Sequence, residues 1–298
     1  MPSLVESVPN FSEGRDRAKV DAIVEAMHLN GVYVLGQEMD ADHNRSVITL
    51  AGVPEAIQEA VVRGVGKAAE LIDLNLHKGV HPRLGATDVA PFIPLEGITL
   101  EECVVIARRA GEEIWKRYRI PVYLYETAAV LPERRNLEDI RRGQFEGLRG
   151  AIANDPARKP DFGDAAHATA GAVAVGARKF LIAYNIFLDT ADVEVAKRVA
   201  RAVRTSGGGL KFVKASGFLA RGLAQVSMNL TDFEQTSMRQ VFTAVKREAA
   251  KYEVAIRSSE LIGLVPRKAL EPNAVEELQI ENFQESRILE NCLAAVRS

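Results

Sequence analysis

At 298 residues, with 47% hydrophobic and 26% charged side chains, the chain can hold one large domain or two smaller ones, each with its own core. A net charge of −2 gives no electrostatic reason to expect nucleic acid or an anionic membrane as partner. No apolar run approaches the roughly 20 residues of a membrane span, and Met1-Pro2-Ser3-Leu4-Val5-Glu6 lacks the basic region and apolar core of a signal peptide.

Leu4 to Val8 reads as a short strand, followed by the turn-rich Pro9 to Gly14. Arg17 to Leu29 carries apolar residues at helical spacing and stops before Asn30-Gly31. Val32 to Leu35 and Ser46 to Leu50 read as strands joined through the polar Asp40 to Arg45, and Pro54 opens a helix to about Ile72. Then comes Lys78-Gly79-Val80-His81-Pro82-Arg83-Leu84-Gly85-Ala86-Thr87-Asp88. Pro82 disfavours helix at His81, and Gly79 and Gly85 let the backbone turn tightly on either side. Histidine is the side chain whose ordinary pKa permits proton transfer in both directions near neutrality. The loop is therefore a candidate proton-transfer site beside an anionic substrate, although the same pattern suits a loop histidine that caps a helix or bonds a carbonyl.

Val89 to Ile93 is strand-like, Thr99-Leu100-Glu101-Glu102 is a capping box opening a helix through about Tyr118, and Pro121 to Tyr125 is a strand. From Asn136 to Gly176 a short charged helix precedes a Pro-, Gly- and Ala-dense stretch, expected to be an irregular crossing segment of the kind that forms lids or linkers. The pattern then restarts: strand Lys179–Leu188, helix Ala191–Val203 capped by Asp189 or Thr190, strand Gly209–Ala215, strand Leu223–Thr231, helix from about Ser237 to Lys251, and strand Val254–Arg257. That is the split-βαβ or ferredoxin-like order. The first part shows a similar order, with strands near residues 5, 33, 48 and 90.

The expected fold is therefore α+β, with two lobes of split-βαβ (ferredoxin-like) character, residues 1–177 and 178–298, and a ligand cleft between their sheets. In Leu223–Thr231, Ala224, Val226, Met228 and Leu230 should face the helices. Gln225, Ser227, Asn229 and Thr231 should line the uncovered face, as a solvated surface or as the wall of a ligand groove. Cys103 and Cys292 fall far apart in apolar helical patterns, so two buried free thiols are expected, which suits the cytoplasm. No Cys/His cluster has metal-ligand spacing, and no metal is expected. His28 lies in a helical pattern, and His77 is expected to cap the end of its helix. Ser206-Gly207-Gly208-Gly209 follows a helix and precedes a strand, the wrong order for a phosphate loop, and reads as a turn.

Val5 to Gly14, His43 to Val47, Lys78 to Ala86, Pro121 to Tyr125, Asp161-Phe162-Gly163, Gly176 to Asn185, Leu223 to Leu230 and Leu261 to Pro266 together resemble the glutamate formimidoyltransferase (formiminotransferase) family. The matches run in order through nearly the whole chain, with no cyclodeaminase portion. The resemblance implies transfer of a formimino group from N-formimino-L-glutamate to N5 of tetrahydrofolate, in histidine degradation. It places the family's catalytic histidine on His81 and its folate segment on Gly163 through Gly171, hence Gly163, Asp164, His167, Thr169 and Gly171. Asp40 is the counterpart of the family's acidic loop, and a homodimer is implied.

The chemistry asks for one proton to leave N5 and one to reach the departing glutamate nitrogen, and a single histidine between both nitrogens can serve as base and then as acid. No oxyanion develops, because the amidine enters as a cation; a carboxylate such as Asp40 would stabilise it. Both substrates carry glutamate carboxylates, so Arg45, Arg83 and Arg178 are candidate cations, each also able to serve as a salt-bridge partner for Asp88 or Glu126. Asn10, Gln225 and Asn229 could read the pterin's amide-like edge. An N-formylglutamate-dependent folate transferase and a non-catalytic folate-binding module both stay open.

Overall fold

The computed structural model describes residues 3–297; Met1, Pro2 and Ser298 lie outside them, and with them part of the signal-peptide reading and the outermost bounds of the two expected lobes. The chain divides into two compact units, Met1–Arg178 and Lys179–Ser298.

The first unit runs β1 (Leu4–Ser7), β2 (Asn10–Phe11), α1 (Arg17–Met27), β3 (Val32–Asp40), β4 (Arg45–Gly52), α2 (Pro54–Leu71), β5 (Thr87–Glu96), α3 (Leu100–Tyr118), β6 (Val122–Glu126), α4 (Leu137–Ile140), α5 (Gln144–Asn154) and β7 (Val173–Ala177). β1 pairs antiparallel with β4 and β5, and β3 pairs antiparallel with β4, which gives the ferredoxin-like order β3-β4-β1-β5. Local chemistry sets the helices. Asp16 caps α1 by accepting from the Ala18 and Lys19 N–H groups. Thr99 and Glu102 form the expected reciprocal box at the start of α3. Val20, Ile23, Ile57, Val61, Ile106 and Ile114 from α1, α2 and α3 pack on one face of the sheet with Val5, Ile48, Leu50 and Phe92.

The sheet is larger than the sequence pattern implies. β7 pairs parallel with both β5 and β6, extending the four-stranded core. Of its residues, Val173-Ala174-Val175-Gly176-Ala177, all but Ala177 lie inside the segment expected to be irregular. They are buried on both faces, so they show a continuous small apolar run with no alternation. The same segment contains the longer helix α5, which packs with α4 over Tyr123, Tyr125 and Ala174 on the other face of the sheet.

The second unit runs β8 (Ile182–Leu188), α6 (Val193–Val203), β9 (Val213–Ala220), β10 (Leu223–Leu230), α7 (Met238–Ala250), β11 (Ile256–Ile262), α8 (Ala274–Glu277) and α9 (Leu289–Arg297). Its sheet order β11-β8-β10-β9 is the same ferredoxin-like arrangement. Ala224, Val226, Met228 and Leu230 enter the core with α6 and α7, as their alternation requires. Three boundaries differ from expectation. β9 begins at Val213, because Thr205 to Gly209 turns tightly and Thr205 Oγ1 bonds the backbone at Leu210 and Val213. β11 extends to Ile262 because its edge is paired along β8. Asp192, rather than Asp189 or Thr190, caps α6 by accepting from Glu194 N–H. Cys103 is buried and Cys292 only half-buried; both are free thiols.

Candidate active site

The His81 loop is anchored to the turn between β3 and β4. Asn44 sits in the left-handed region at φ 49°, where its Oδ1 accepts from Gly14 N–H at 2.9 Å and its Nδ2 donates to the Lys78 carbonyl at 3.0 Å. His77 does not cap α2, which ends at Leu71; its Nε2 donates to the Asn44 carbonyl at 3.0 Å while its Nδ1 accepts from Arg83 Nε at 3.1 Å. Those opposite demands define one neutral tautomer. Gly79 and Gly85 are needed for close approach rather than for a left-handed turn: a Cβ on Gly79 would strike the His43 carbonyl, and one on Gly85 the carbonyls of Ala170 and Ala172.

His81 is half-buried, and its Nδ1 lies 2.6 Å from the Pro82 carbonyl and 3.2 Å from Arg45 Nη1. The carbonyl can only accept and the guanidinium can only donate, so one tautomer cannot bond both. The shorter contact, to the carbonyl, places the proton on Nδ1 and leaves Nε2 the lone pair that a base requires, with Arg45 a neighbouring charge rather than a hydrogen-bond donor. Burial, then Arg45, then Arg141 push the imidazole down to about 3, against the attraction of Asp88.

Arg45, predicted to grip a substrate carboxylate, is held within the protein. Its Nε and Nη2 donate to Asn10 Oδ1 at 3.0 and 2.7 Å, and its Nη1 donates to Asp88 at 2.6 Å. Asp88 is fully buried and also receives Arg141 and the Leu84 N–H at 2.9 Å. Burial would raise its carboxyl, but the two guanidiniums outweigh burial and hold it well below the ordinary carboxylate range. Asn10, predicted to read a pterin edge, instead positions Arg45, with its own Nδ2 donating to the Val8 carbonyl at 2.7 Å. Arg83 is buried and engages Glu146 at 2.6 Å and Gln144 at 3.1 Å.

Asp40 binds His43 rather than His81, with 2.8 Å to both the backbone N–H and Nδ1. The His43 ring stands edge-on to the His81 ring at 6.0 Å between centroids, so Asp40 acts on His81 only at one remove.

The segment Gly163–Gly171 is tied to the same loop. His167 and Gly171 exchange backbone bonds at 2.9 and 3.2 Å, and Ala86 N–H donates to the Ala170 carbonyl at 2.9 Å. Gly171, at φ 69°, permits the close pass against Leu84 and Gly85. His167 Nδ1 accepts from the Thr169 and Ala170 N–H groups at 3.3 and 3.1 Å, and burial shifts the ring's pKa below the ordinary histidine value. Thr169 is half-buried, its carbonyl accepting from Leu74 N–H at 2.9 Å, and Gly163 sits at φ 99°. Asp164 is exposed.

Arg178, at the end of β7, bonds the Tyr125 hydroxyl and attracts Glu6. Glu6 is buried, its Oε2 has no hydrogen-bond partner, and burial pushes it up to about 7. On the second unit's sheet face away from α6 and α7, Gln225 is buried rather than lining an uncovered surface, because Asn185, Phe187 and Glu260 pack around it, while Asn229 is exposed. Glu260 is the hub there: Asn185 donates to it at 3.0 Å, Gln225 at 3.4 Å and Arg221 at 2.7 Å. Sequence reading missed Arg141, Glu6 and Glu260. Arg141 has no sequence signal, lying in a charged stretch that reads as solvated, whereas Glu6 stands out as a charged residue within a short strand begun by Leu4 and Val5. Among the described residues, no cluster of three or more His, Cys, Asp or Glu side chains could hold a metal ion, and no helix is long and apolar enough to cross a membrane.

Comparison with known proteins identifies the family. Residues 4–178 match the formiminotransferase domain, N-terminal subdomain, and residues 183–291 match the formiminotransferase domain. A glutamate formimidoyltransferase of Streptococcus pyogenes serotype M1 is 46% identical over 298 residues, covering 98% of this chain and 99% of that protein. One from Thermoplasma acidophilum is 45% identical over 293 residues, covering 97% and 96%. The formimidoyltransferase-cyclodeaminase of Mus musculus is 42% identical over 280 residues, which span 91% of this chain and 51% of that longer protein. With both halves matched in order by one family, and full-length relatives at 45–46% identity, the chain belongs to the formiminotransferase family.

Proposed function

We propose that this chain moves the formimino group of N-formimino-L-glutamate onto N5 of tetrahydrofolate, releasing L-glutamate, as a step of histidine degradation. The observation that carries this reading is His81: its Nδ1 proton faces the Pro82 carbonyl, its Nε2 is left as a base, and a guanidinium cluster stands beside it in a chain of this family. N5 attacks the formimino carbon to give a tetrahedral intermediate. His81 Nε2 takes the proton from N5 and returns it to the departing glutamate nitrogen, which breaks the C–N bond. The reacting amidine is cationic, so the site requires no oxyanion hole; the Asp40–His43 pair supplies negative charge at one remove.

In this reading tetrahydrofolate is a co-substrate. The segment from Gly163 through Asp164, His167 and Thr169 to Gly171 would lie along it, with Gln225 and Asn229 as polar contacts from the second lobe. Arg45 and Arg83 would shape the donor side, with Arg178 a further cation. The lobes at 1–177 and 178–298 would be the N- and C-terminal formiminotransferase subdomains, and the cleft expected from the sequence is part of this proposal, as are a homodimer and a cytoplasmic location. The test is turnover of tetrahydrofolate with N-formimino-L-glutamate, followed as 5-formiminotetrahydrofolate by absorbance. His81→Ala should lose at least ~100-fold in kcat while still binding folate. A wild-type protein that binds folate without turning over this donor overturns the assignment; N-formylglutamate as donor is then the next substrate to assay, and binding alone would indicate a non-catalytic module.

A further inference from the structure

Asp88 is one carboxylate shared by two guanidiniums. Arg45 donates to Oδ2 at 2.6 Å, and Arg141 grips both oxygens, with Nε at 3.2 Å from Oδ1. One negative charge therefore faces two positive ones, and the cluster holds surplus positive charge. Arg45 directs the rest of its fork to Asn10. Arg141 differs: its Nη1 donates to no described residue, and its side chain is 15% exposed. A mostly buried guanidinium with unused planar donors, fixed by a carboxylate on its other edge, is preorganised for a second carboxylate.

We propose that Arg141, held by Asp88 beside His81, is the subsite that takes a carboxylate of the glutamyl donor. The inference rests on the formimino-transfer reading and adds to it a donor-recognition residue. It also gives the donor a second role. The groups facing His81 are Arg45 from β4, Asp88 from β5, Arg141 from the turn after α4, the His43 ring with Asp40 behind it from the β3–β4 turn, and the Pro82 carbonyl of its own loop. Without ligand, positive charge prevails there and the imidazole resists protonation. A carboxylate on Arg141 supplies the missing negative charge, so donor binding raises the proton affinity of His81 towards the range in which it can accept and return a proton. Linkage makes the effect reciprocal: protonating His81 tightens anion binding.

The experiment has two arms. In the first, the His81 ring proton, assigned by its loss in His81→Gln, is titrated by NMR with and without L-glutamate as the probe. The free wild type should stay neutral at His81 down to pH 5, and saturating glutamate should raise its proton affinity at least about tenfold; Arg141→Gln should abolish the difference. In the second, Arg141→Gln should raise the KM for N-formimino-L-glutamate by about 10–100-fold, the scale of a hydrogen bond to a charged group, with the KM for tetrahydrofolate unchanged and partial recovery in Arg141→Lys. An unaltered donor KM, or glutamate binding that leaves the His81 titration untouched, overturns the subsite. Should Arg141→Gln fail to fold, wild-type discrimination against N-formimino-L-glutamine and its α-amide isomer tests the same carboxylate requirement, and equal use of all three donors overturns it. The glutamate titration needs no turnover, so an inactive wild type with a responsive His81 refutes the reaction while sparing the subsite.

Discussion

Two polar clusters, one in each unit, are built on sheets of the same ferredoxin-like order but differ in charge balance. In the first unit, one buried carboxylate, Asp88, is shared by two guanidiniums next to a half-buried imidazole. In the second, Glu260 meets a single guanidinium, Arg221, and two amides, Asn185 and Gln225. The first arrangement carries surplus positive charge and suits anion binding and proton transfer. The second is balanced and offers neutral donors and acceptors, which suits a polar uncharged edge such as a pterin. A shared topology thus leaves the chemistry to a few side chains on each sheet.

The comparison breaks most visibly at Asp88. Asp88→Asn leaves two mostly buried guanidiniums without their counter-ion, and it should destabilise the protein by about 3–5 kcal/mol in urea unfolding, the usual cost of stripping one partner from a buried pair. A loss below about 1 kcal/mol would mean that solvent already compensates these arginines. Glu260→Gln should act more gently, because its partners are one cation and two amides that an amide can still serve. A roughly tenfold rise in the KM for tetrahydrofolate with an unchanged donor KM would sharpen the division between the two clusters; equal shifts in both would erase it.

A third effect lies with Glu6, a buried carboxylate with one unsatisfied oxygen. Its folded-state pKa is raised from 4.5 to about 7, so the folded protein holds a proton that the unfolded chain releases. That contribution to stability is fully present below pH 4.5 and is lost as pH rises through about 7. Glu6→Gln should therefore stabilise the protein by about 3 kcal/mol at pH 8 and should change little at pH 4. Thermal melts at the two pH values check this, and equal effects at both would show that Glu6 does not change protonation between them in the folded protein.

Much of this was legible from local chemistry. The α3 helix, Leu100–Tyr118, opens at the expected capping box because Thr99 and Glu102 satisfy each other's backbone donors. The alternation of Leu223–Leu230 gave the buried face of β10 directly, since a strand side chain has only two directions to choose from. His81 stood out because a proline and two glycines isolate an ionisable ring on a loop. β7 did not stand out: a strand buried on both faces loses the alternation that would announce it, and its Ala and Gly content looks like a linker. The partners of Arg45 and Asp40 were not readable either, because a side chain able to bind a substrate carboxylate can equally bind Asp88 or His43.

The sequence by itself determined most of the order of helices and strands outside residues 136–176, the family resemblance, and the loop that presents His81, because propensity, capping and periodicity act over a few residues and leave a local trace. The tertiary structure decided that β7 completes the first sheet, that Asp88 gathers Arg45 and Arg141, and that His81 is held neutral beside them. Those outcomes depend on burial and on charges brought together across 43 and 53 positions of chain, and Coulomb's law acts on distance in space rather than in sequence.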